Sequence, residues 1–409
     1  MSARPQPIPD QQPWLNEARL HHWRIAAGVT VAAVLCCWFL GARNGLDLNS
    51  KPIGTDFVSF WTAARAALMV DPATAYNPVA HAALQIESFG PGAGYFAFFY
   101  PPPFLLLCLP LGLLGYGAAL AAWLGLTGAA YVAVAARALQ WPPGRAAMLA
   151  LAFPAVLINI GHGQNGFLFA ALMGGGLLLL DRRPILAGCI LGALVMKPHL
   201  ALLLPLAFAL RGAWRVLIAM GLSACAICLV SLWLLGPDAW RGFLDGAPLA
   251  RVTLETGLVS PAKMVSLFAA GRVVGLSVPA SYLIHAIGAA IAGVLIWRAA
   301  RKRMPAADQN ALLVAGTLAI SPFLLDYDLT LLAWPLAWMA VRGRSTGFVA
   351  HERLAMLAIF VAPLILRPLA SATALPFAPA MTFGLLALCW RRATLTALPY
   401  RHSHAASVR

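Results

Sequence analysis

VLIAMGLSACAICLVSLWLL, residues 216–235, runs for twenty residues without a charged side chain. At about 1.5 Å of helical rise per residue it reaches roughly 30 Å, the thickness of a bilayer's hydrocarbon core. Ala280–Trp297 is a second run of the same kind. Soluble cores do not need apolar stretches of this length, so these two runs decide the fold class. Composition agrees: 61% of the 409 residues are hydrophobic and 11% are charged, against about 25% charged in a soluble domain. Working outward, further spans are expected at roughly 118–137, 146–160, 166–180, 185–196, 199–210, 310–324, 328–341, 352–366 and 376–390. Ile25–Leu40 is read as an uncleaved first span, because Gly41-Ala42-Arg43 is a poor signal-cleavage site. The expectation is an all-α polytopic membrane helix bundle of about 10–12 transmembrane helices. The run 101–114 is short enough to be re-entrant.

The net charge of +15 would suggest nucleic acid in a soluble protein. Here its distribution matters more. Arg182–Arg183, Arg211 with Arg215, Arg298 with Arg301–Arg303, Arg342 with Arg344, and Arg391–Arg392 sit at span ends. Basic residues there favour the cytoplasm, which places both termini inside and calls for no nucleic acid. The domain reading is a cytoplasmic N-tail 1–24, a membrane domain 25–391 with an outer loop 43–100, and a cytoplasmic C-tail 392–409. Cys225-x-x-Cys228 lies within an apolar run and lacks a second ligand pair, so it reads as helix packing and no metal site is assigned to it.

The outer loop opens at Ile53-Gly54-Thr55-Asp56, followed by Phe57, Phe60, Trp61, Ala64 and Leu68 at helical spacing. That stripe predicts an amphipathic helix lying in the membrane interface. A second helix is expected over about 79–89, and Gly90-Pro91-Gly92-Ala93-Gly94 reads as a hinge. Asp56 has two readings: a helix N-cap, or a functional carboxylate on the face where other polar islands gather. Those islands are Gly161-His162-Gly163-Gln164-Asn165, Lys197-Pro198-His199 and Asp326-Tyr327-Asp328. Lys197 interrupts more than twenty apolar residues, and ionisable groups at membrane depth need a reason. It reads either as a phosphate ligand or as a structural or snorkelling lysine; His199 reads as a ligand contact or a satisfied buried histidine. Asp326 and Asp328 fit a metal site, a proton relay or solvated loop acids. Trp61 and the aromatic run Tyr95–Tyr100 fit sugar stacking or an interfacial belt. A nucleotide-binding loop is missing from the sequence, so a sugar donor would need another carrier.

The ordered pieces Thr55–Ala64, Phe99-Tyr100-Pro101-Pro102, Gly163-Gln164-Asn165, Leu186–Pro198 and Ser321–Asp328 resemble glycosyltransferase family 87, within the GT-C class of polytopic glycosyltransferases. The resemblance implies transfer of a sugar, often mannose, from a polyprenyl-phosphate donor to a glycolipid or glycan acceptor. It implies an inner-membrane enzyme whose site faces the periplasm or exterior, with Asp56 as general base. On the same basis Lys197 and His199 would meet the donor phosphate or lipid, and Trp61, Tyr100, Gln164, Asn165, Asp326 and Asp328 the substrates. Phe323 departs from the family pattern, which often has a histidine there. A divalent cation stays open as a helper, and no other cofactor is implied. A transporter or flippase for a lipid-linked sugar or small solute would share the many spans and buried charges. Its functional charges would be expected near the midplane between related repeats, and no repeat is visible here.

Overall fold

The computed structural model describes residues 17–41, 46–47 and 51–396. The first sixteen residues of the expected N-tail, part of the outer loop's start and the C-tail beyond 396 lie outside the described residues. The described chain is helical, with two isolated β-bridges, Leu46 with Pro52 and Met264 with Leu325. The order is α1 (Glu17–Leu40), α2 (Phe57–Met69), α3 (Pro78–Phe89), α4 (Pro102–Gly112), α5 (Tyr116–Leu139), α6 (Pro143–Leu151), α7 (Pro154–His162), α8 (Gly166–Leu179) and α9 (Pro184–Gly192). It continues through α10 (Leu204–Leu210), α11 (Trp214–Glu255), α12 (Leu267–Val273), α13 (Val278–Arg301), α14 (Ala306–Ile320), α15 (Ala333–Thr346), α16 (Glu352–Thr373) and α17 (Ala378–Thr396). The protein is an all-α polytopic membrane bundle.

Among the described residues, four helices are each long and apolar enough to cross a membrane: α5, α11, α13 and α16. α6 and α7, bent by 76° at Ala152–Phe153 before Pro154, qualify together as a fifth. α1 covers the expected first span. α11 breaks at Gly236, whose φ of 79° leaves the helical region just before Pro237. Its apolar arm coincides with the run that defined the fold. Expected crossings beside the polar islands are divided among shorter elements. The stretch 184–210, expected as two spans, is α9, 3₁₀ turns at Ala193–Met196 and Pro198–Leu200, and α10. α4 has eleven residues, about 16 Å at helical rise, half of what a crossing needs.

The outer loop corrects one expectation. The Phe57–Ala64 face of α2 does not lie on a membrane interface. All residues from Phe57 to Ala64 are buried in protein. The apolar stripe meets Phe104, Tyr116 and Trp123, and Gly112 of α4 comes against the Ala64 backbone. The polar side is covered as well. Thr62 Oγ1 bonds Val58 O at 2.7 Å and His81 Nε2 at 2.8 Å, while Gln85 bonds Thr62 and both main-chain groups of Phe96. Burial pushes the His81 imidazole down to about 4, so it sits neutral in this network. Helical amphipathicity records a polar face without distinguishing water from a returning loop. The expected hinge is a 3₁₀ turn at Pro91–Ala93, with Lys51 Nζ donating to Gly92 O at 3.1 Å.

At the far end of α14 from the polar islands, Arg342 pairs with Asp308 at 2.6 Å, fastening α15 to α14, and Arg392 with Glu352 at 2.9 Å, fastening α17 to α16. At the near end the packing is closer. A Cβ on Gly166 would fall 2.5 Å from Tyr327 O and 2.6 Å from Asn159 Oδ1. Gly166→Ala should therefore lower stability by about 1–3 kcal/mol through overpacking. Gly161→Ala, which meets nothing within 4 Å, should leave stability unchanged or raise it by up to about 1 kcal/mol. Thermal unfolding of the two variants in detergent compares them directly.

Candidate active site

Asp56 stands at the head of α2, where Gly54 turns the chain with a φ of 68°. Its backbone N–H donates to His162 O at 3.1 Å, which ties this corner to the end of α7. The backbone of Asp56 is helical and its side chain makes no capping bond. The capping reading therefore fails, and the carboxylate is directed elsewhere. Its Oδ2 accepts from Gln164 Nε2 at 3.2 Å and lies 3.7 Å from Lys263 Nζ. His162 Nδ1 is 3.9 Å from Oδ1.

The orientation of Gln164 follows from its other bonds. Its Oε1 accepts from Tyr100 O–H at 3.2 Å and from Asn165 N–H at 3.0 Å, so the amide nitrogen has to face Asp56. His162 is also fixed. Arg367 Nη1 donates toward Nε2 at 3.4 Å, which leaves the ring hydrogen on Nδ1, 2.9 Å from Thr55 Oγ1. Gly163 allows this turn: its φ is 60°, and a Cβ there would fall 2.6 Å from Phe57 Cβ.

Behind this layer lies a buried charge pair. Lys197 Nζ bonds Asp328 Oδ1 and donates to Asn165 Oδ1 at 3.0 Å. The ammonium also faces the rings of Tyr327 at 5.0 Å and Phe169 at 5.4 Å. Pro198 forces the break that exposes Lys197 to these partners, because a proline disfavours helical backbone in the residue before it; Lys197 has φ −145° and ψ 70°. Asp328 also accepts from Leu325 N–H at 3.4 Å.

Asp326 is separate from that pair. Its Oδ2 is 3.5 Å from Arg367 Nη1 and its Oδ1 has no partner. Burial raises its carboxyl to about 6, against the opposing pull of Lys263 and Arg367. Both aspartates are buried, which overturns their reading as solvated loop acids. No group of three or more His, Cys, Asp or Glu side chains with metal-holding geometry occurs among the described residues.

The structure thus brings Asp56, Tyr100, Gln164, Asn165, Lys197, Asp326 and Asp328 into one connected region. Trp61 is not part of it: its indole N–H donates to Leu114 O at 3.0 Å and its ring packs on Phe89 and Tyr116. His199 adjoins Lys197 in sequence, half-buried, with Nε2 unpartnered. Lys263 and Arg367 were not singled out in the sequence, and His162 appeared there only within a polar island, without a role of its own. Arg367 shares with Lys197 a cation directly before a proline, but it stands at the end of an apolar run rather than within one.

The candidate site is thus one partly exposed carboxylate, Asp56, set among cations and amides within a polytopic bundle. The family model for glycosyltransferase family 87 matches residues 98–322, more than half of the chain. The protein belongs to that family. The match takes in His162, Gln164, Asn165, Lys197 and Lys263; Asp56, Asp326, Asp328 and Arg367 flank it. No curated protein and no solved structure matches the chain.

Removing one member of the Lys197–Asp328 pair leaves a buried charge uncompensated. Asp328→Leu alone should cost about 3–5 kcal/mol. Replacing both residues together, Lys197→Met with Asp328→Leu, should recover most of that loss. A double-mutant cycle by chemical or thermal unfolding reads the coupling, and additive losses would show that the two groups act independently.

Proposed function

We propose that the protein transfers a sugar, mannose or another hexose or pentose, from a polyprenyl-phosphate donor to a glycolipid or glycan acceptor, with Asp56 as general base. The supporting observation is the difference among the three acids of the site. The side chain of Asp328 is 1% exposed and committed to Lys197, and that of Asp326 is 6% exposed beside Arg367. Asp56 is 20% exposed and performs no structural capping. It is the carboxylate a substrate hydroxyl can reach. Membership of a glycosyltransferase family favours this reading over a transporter or flippase.

The chemistry needs little else. The acceptor oxygen attacks the anomeric carbon from the face opposite the phosphate, and a new carbon–oxygen bond forms. The bond from that carbon to the phosphate oxygen breaks, and its electron pair leaves on the phosphate. The acceptor's proton passes to Asp56 and then to water. This single displacement inverts the anomeric centre. A phosphate leaving group needs no acid catalyst comparable to the second carboxylate of glycosidases. Gln164, held by Tyr100 and Asn165, orients the base. Lys197 keeps the Gly163–Gly166 turn in register through Asn165, and its positive charge adds to the field at the departing phosphate. The clustering of basic residues at alternate span ends supports a site facing the periplasm or exterior of the inner membrane.

Asp56→Asn keeps side-chain size and offers Gln164 an acceptor oxygen, but removes the proton acceptor. Folding and donor-lipid affinity should stay near the parent's, while transfer falls roughly 100-fold or more, the scale of a lost general base. Stability, lipid affinity and transfer measured on one preparation separate the effects. Transfer at the parent's rate would remove Asp56 from the mechanism.

A further inference from the structure

The two oxygens of Asp56 are not equivalent. Oδ2 accepts from Gln164 Nε2 at 3.2 Å and faces Lys263 Nζ at 3.7 Å. Oδ1 has no hydrogen-bond partner among the described residues. The imidazole of His162 stands beside it, but Nδ1 stops 3.9 Å away, beyond hydrogen-bonding distance. A histidine next to a carboxylate ordinarily donates to it, or takes a second proton and pairs with it as a cation. Here the ring does neither.

Both ring nitrogens are engaged elsewhere. Nδ1 lies 2.9 Å from Thr55 Oγ1, and Arg367 Nη1 is 3.4 Å from Nε2. The same Nη1 is 3.5 Å from Asp326 Oδ2. That nitrogen carries two hydrogens, one for each acceptor. Asp326, buried at the head of the 3₁₀ stretch Asp326–Leu332, thus aims the guanidinium of α16 at the ring. Arginine keeps its charge at every working pH, so Nε2 always meets a donor. A hydrogen on Nε2 would set N–H against N–H and cation against cation. Two other charged groups face the ring. Asp56, at the head of α2, attracts a second proton, and Lys263, at the end of the 3₁₀ turn Pro261–Lys263, repels it. Tyr327 presents an uncharged ring at 6.3 Å.

We infer that Arg367 and His162 are positioning residues that keep Asp56 Oδ1 open as the proton acceptor. Arg367 holds the imidazole neutral with its one hydrogen on Nδ1, and Thr55 takes that hydrogen. The inference rests on the reading of Asp56 as general base and adds what keeps that base available. The proton of the acceptor hydroxyl goes to Oδ1, and the electron pair of its O–H bond stays on the attacking oxygen. An imidazolium paired with Oδ1 would cover this oxygen and make the carboxylate a weaker base. The lock removes that competitor.

The test is the pH profile of sugar transfer by the full-length protein in nanodiscs, with polyprenyl-phosphate hexoses and pentoses as donors and glycolipids as acceptors. Arg367→Gln frees Nε2. The ring then takes its second proton near the ordinary histidine value of about 6.5 and closes on Oδ1. Relative to the parent, kcat of this variant should fall roughly tenfold between about pH 8 and 5.5, one unit below that value. KM for the lipid donor should stay unmoved. Arg367→Lys keeps a cation beside the ring and should show a smaller fall. Arg367→Gln combined with His162→Gln has no ring to protonate and should regain the shape of the parent's profile. A parent-like profile for Arg367→Gln, or a loss carried by KM alone at every pH, overturns the relay and leaves the base reading standing. A fall that survives in the double variant overturns it too. A parent whose transfer is untouched by Asp56→Asn overturns both readings.

Discussion

The buried contact between Lys197 and Asp328 links segments 131 residues apart in sequence. Charges this deep in a membrane bundle need a partner on grounds of desolvation alone. Lys197 belongs to the break between α9 and α10, and Asp328 to the turn between α14 and α15. Through Asn165 the same ammonium holds the Gly163–Gly166 turn, which carries Gln164. Gln164 in turn meets Asp56. Four separate stretches of chain are thereby set by one charge pair, and the orientation of the base depends on all of them.

The pair also accounts for the architecture around it. Backbone that leaves the helix at membrane depth has to be enclosed in protein or line a cavity. The broken elements meet that condition: the 3₁₀ turns on either side of Lys197 meet each other, the first of them also packs on α8, and the 3₁₀ stretch Asp326–Leu332 packs on α7 and α8, which flank the turn at Gly163. Regular helices α5, α11, α13 and α16 supply length, and the shorter pieces between them supply the site. Glycine at 163 and 166 lets the backbones approach where any side chain would collide with Phe57 or Tyr327.

Much of the fold was legible in the sequence because apolar run length is a one-dimensional signal. Val216–Leu235 and Ala280–Trp297 needed no partner to be read. Lys197 was legible as an anomaly, since a cation amid apolar residues has few explanations. Its partner was not, because no local pattern joins residue 197 to 328. Asp56 was ambiguous for a similar reason: whether it caps α2 depends on the Gly54 turn and on His162, both outside its own helix. The face of α2 was misread because amphipathic spacing does not distinguish a lipid boundary from the buried Thr62–His81–Gln85 network. Lys263 had no signal of its own, since its place comes from the pairing of its neighbours with Leu324 and Pro322.

The central claim is that this pocket accepts a sugar carried on a lipid phosphate. Incubating the purified protein with a panel of polyprenyl-phosphate sugars, alongside the same sugars on nucleotide carriers, tests it directly when release of the free carrier is followed in the presence of glycolipid acceptors. The account predicts that polyprenyl phosphate is released from at least one lipid-linked sugar, with an inverted linkage in the product, and that the nucleotide carriers stay intact. Turnover of a nucleotide sugar with every lipid-linked donor left unchanged would contradict it.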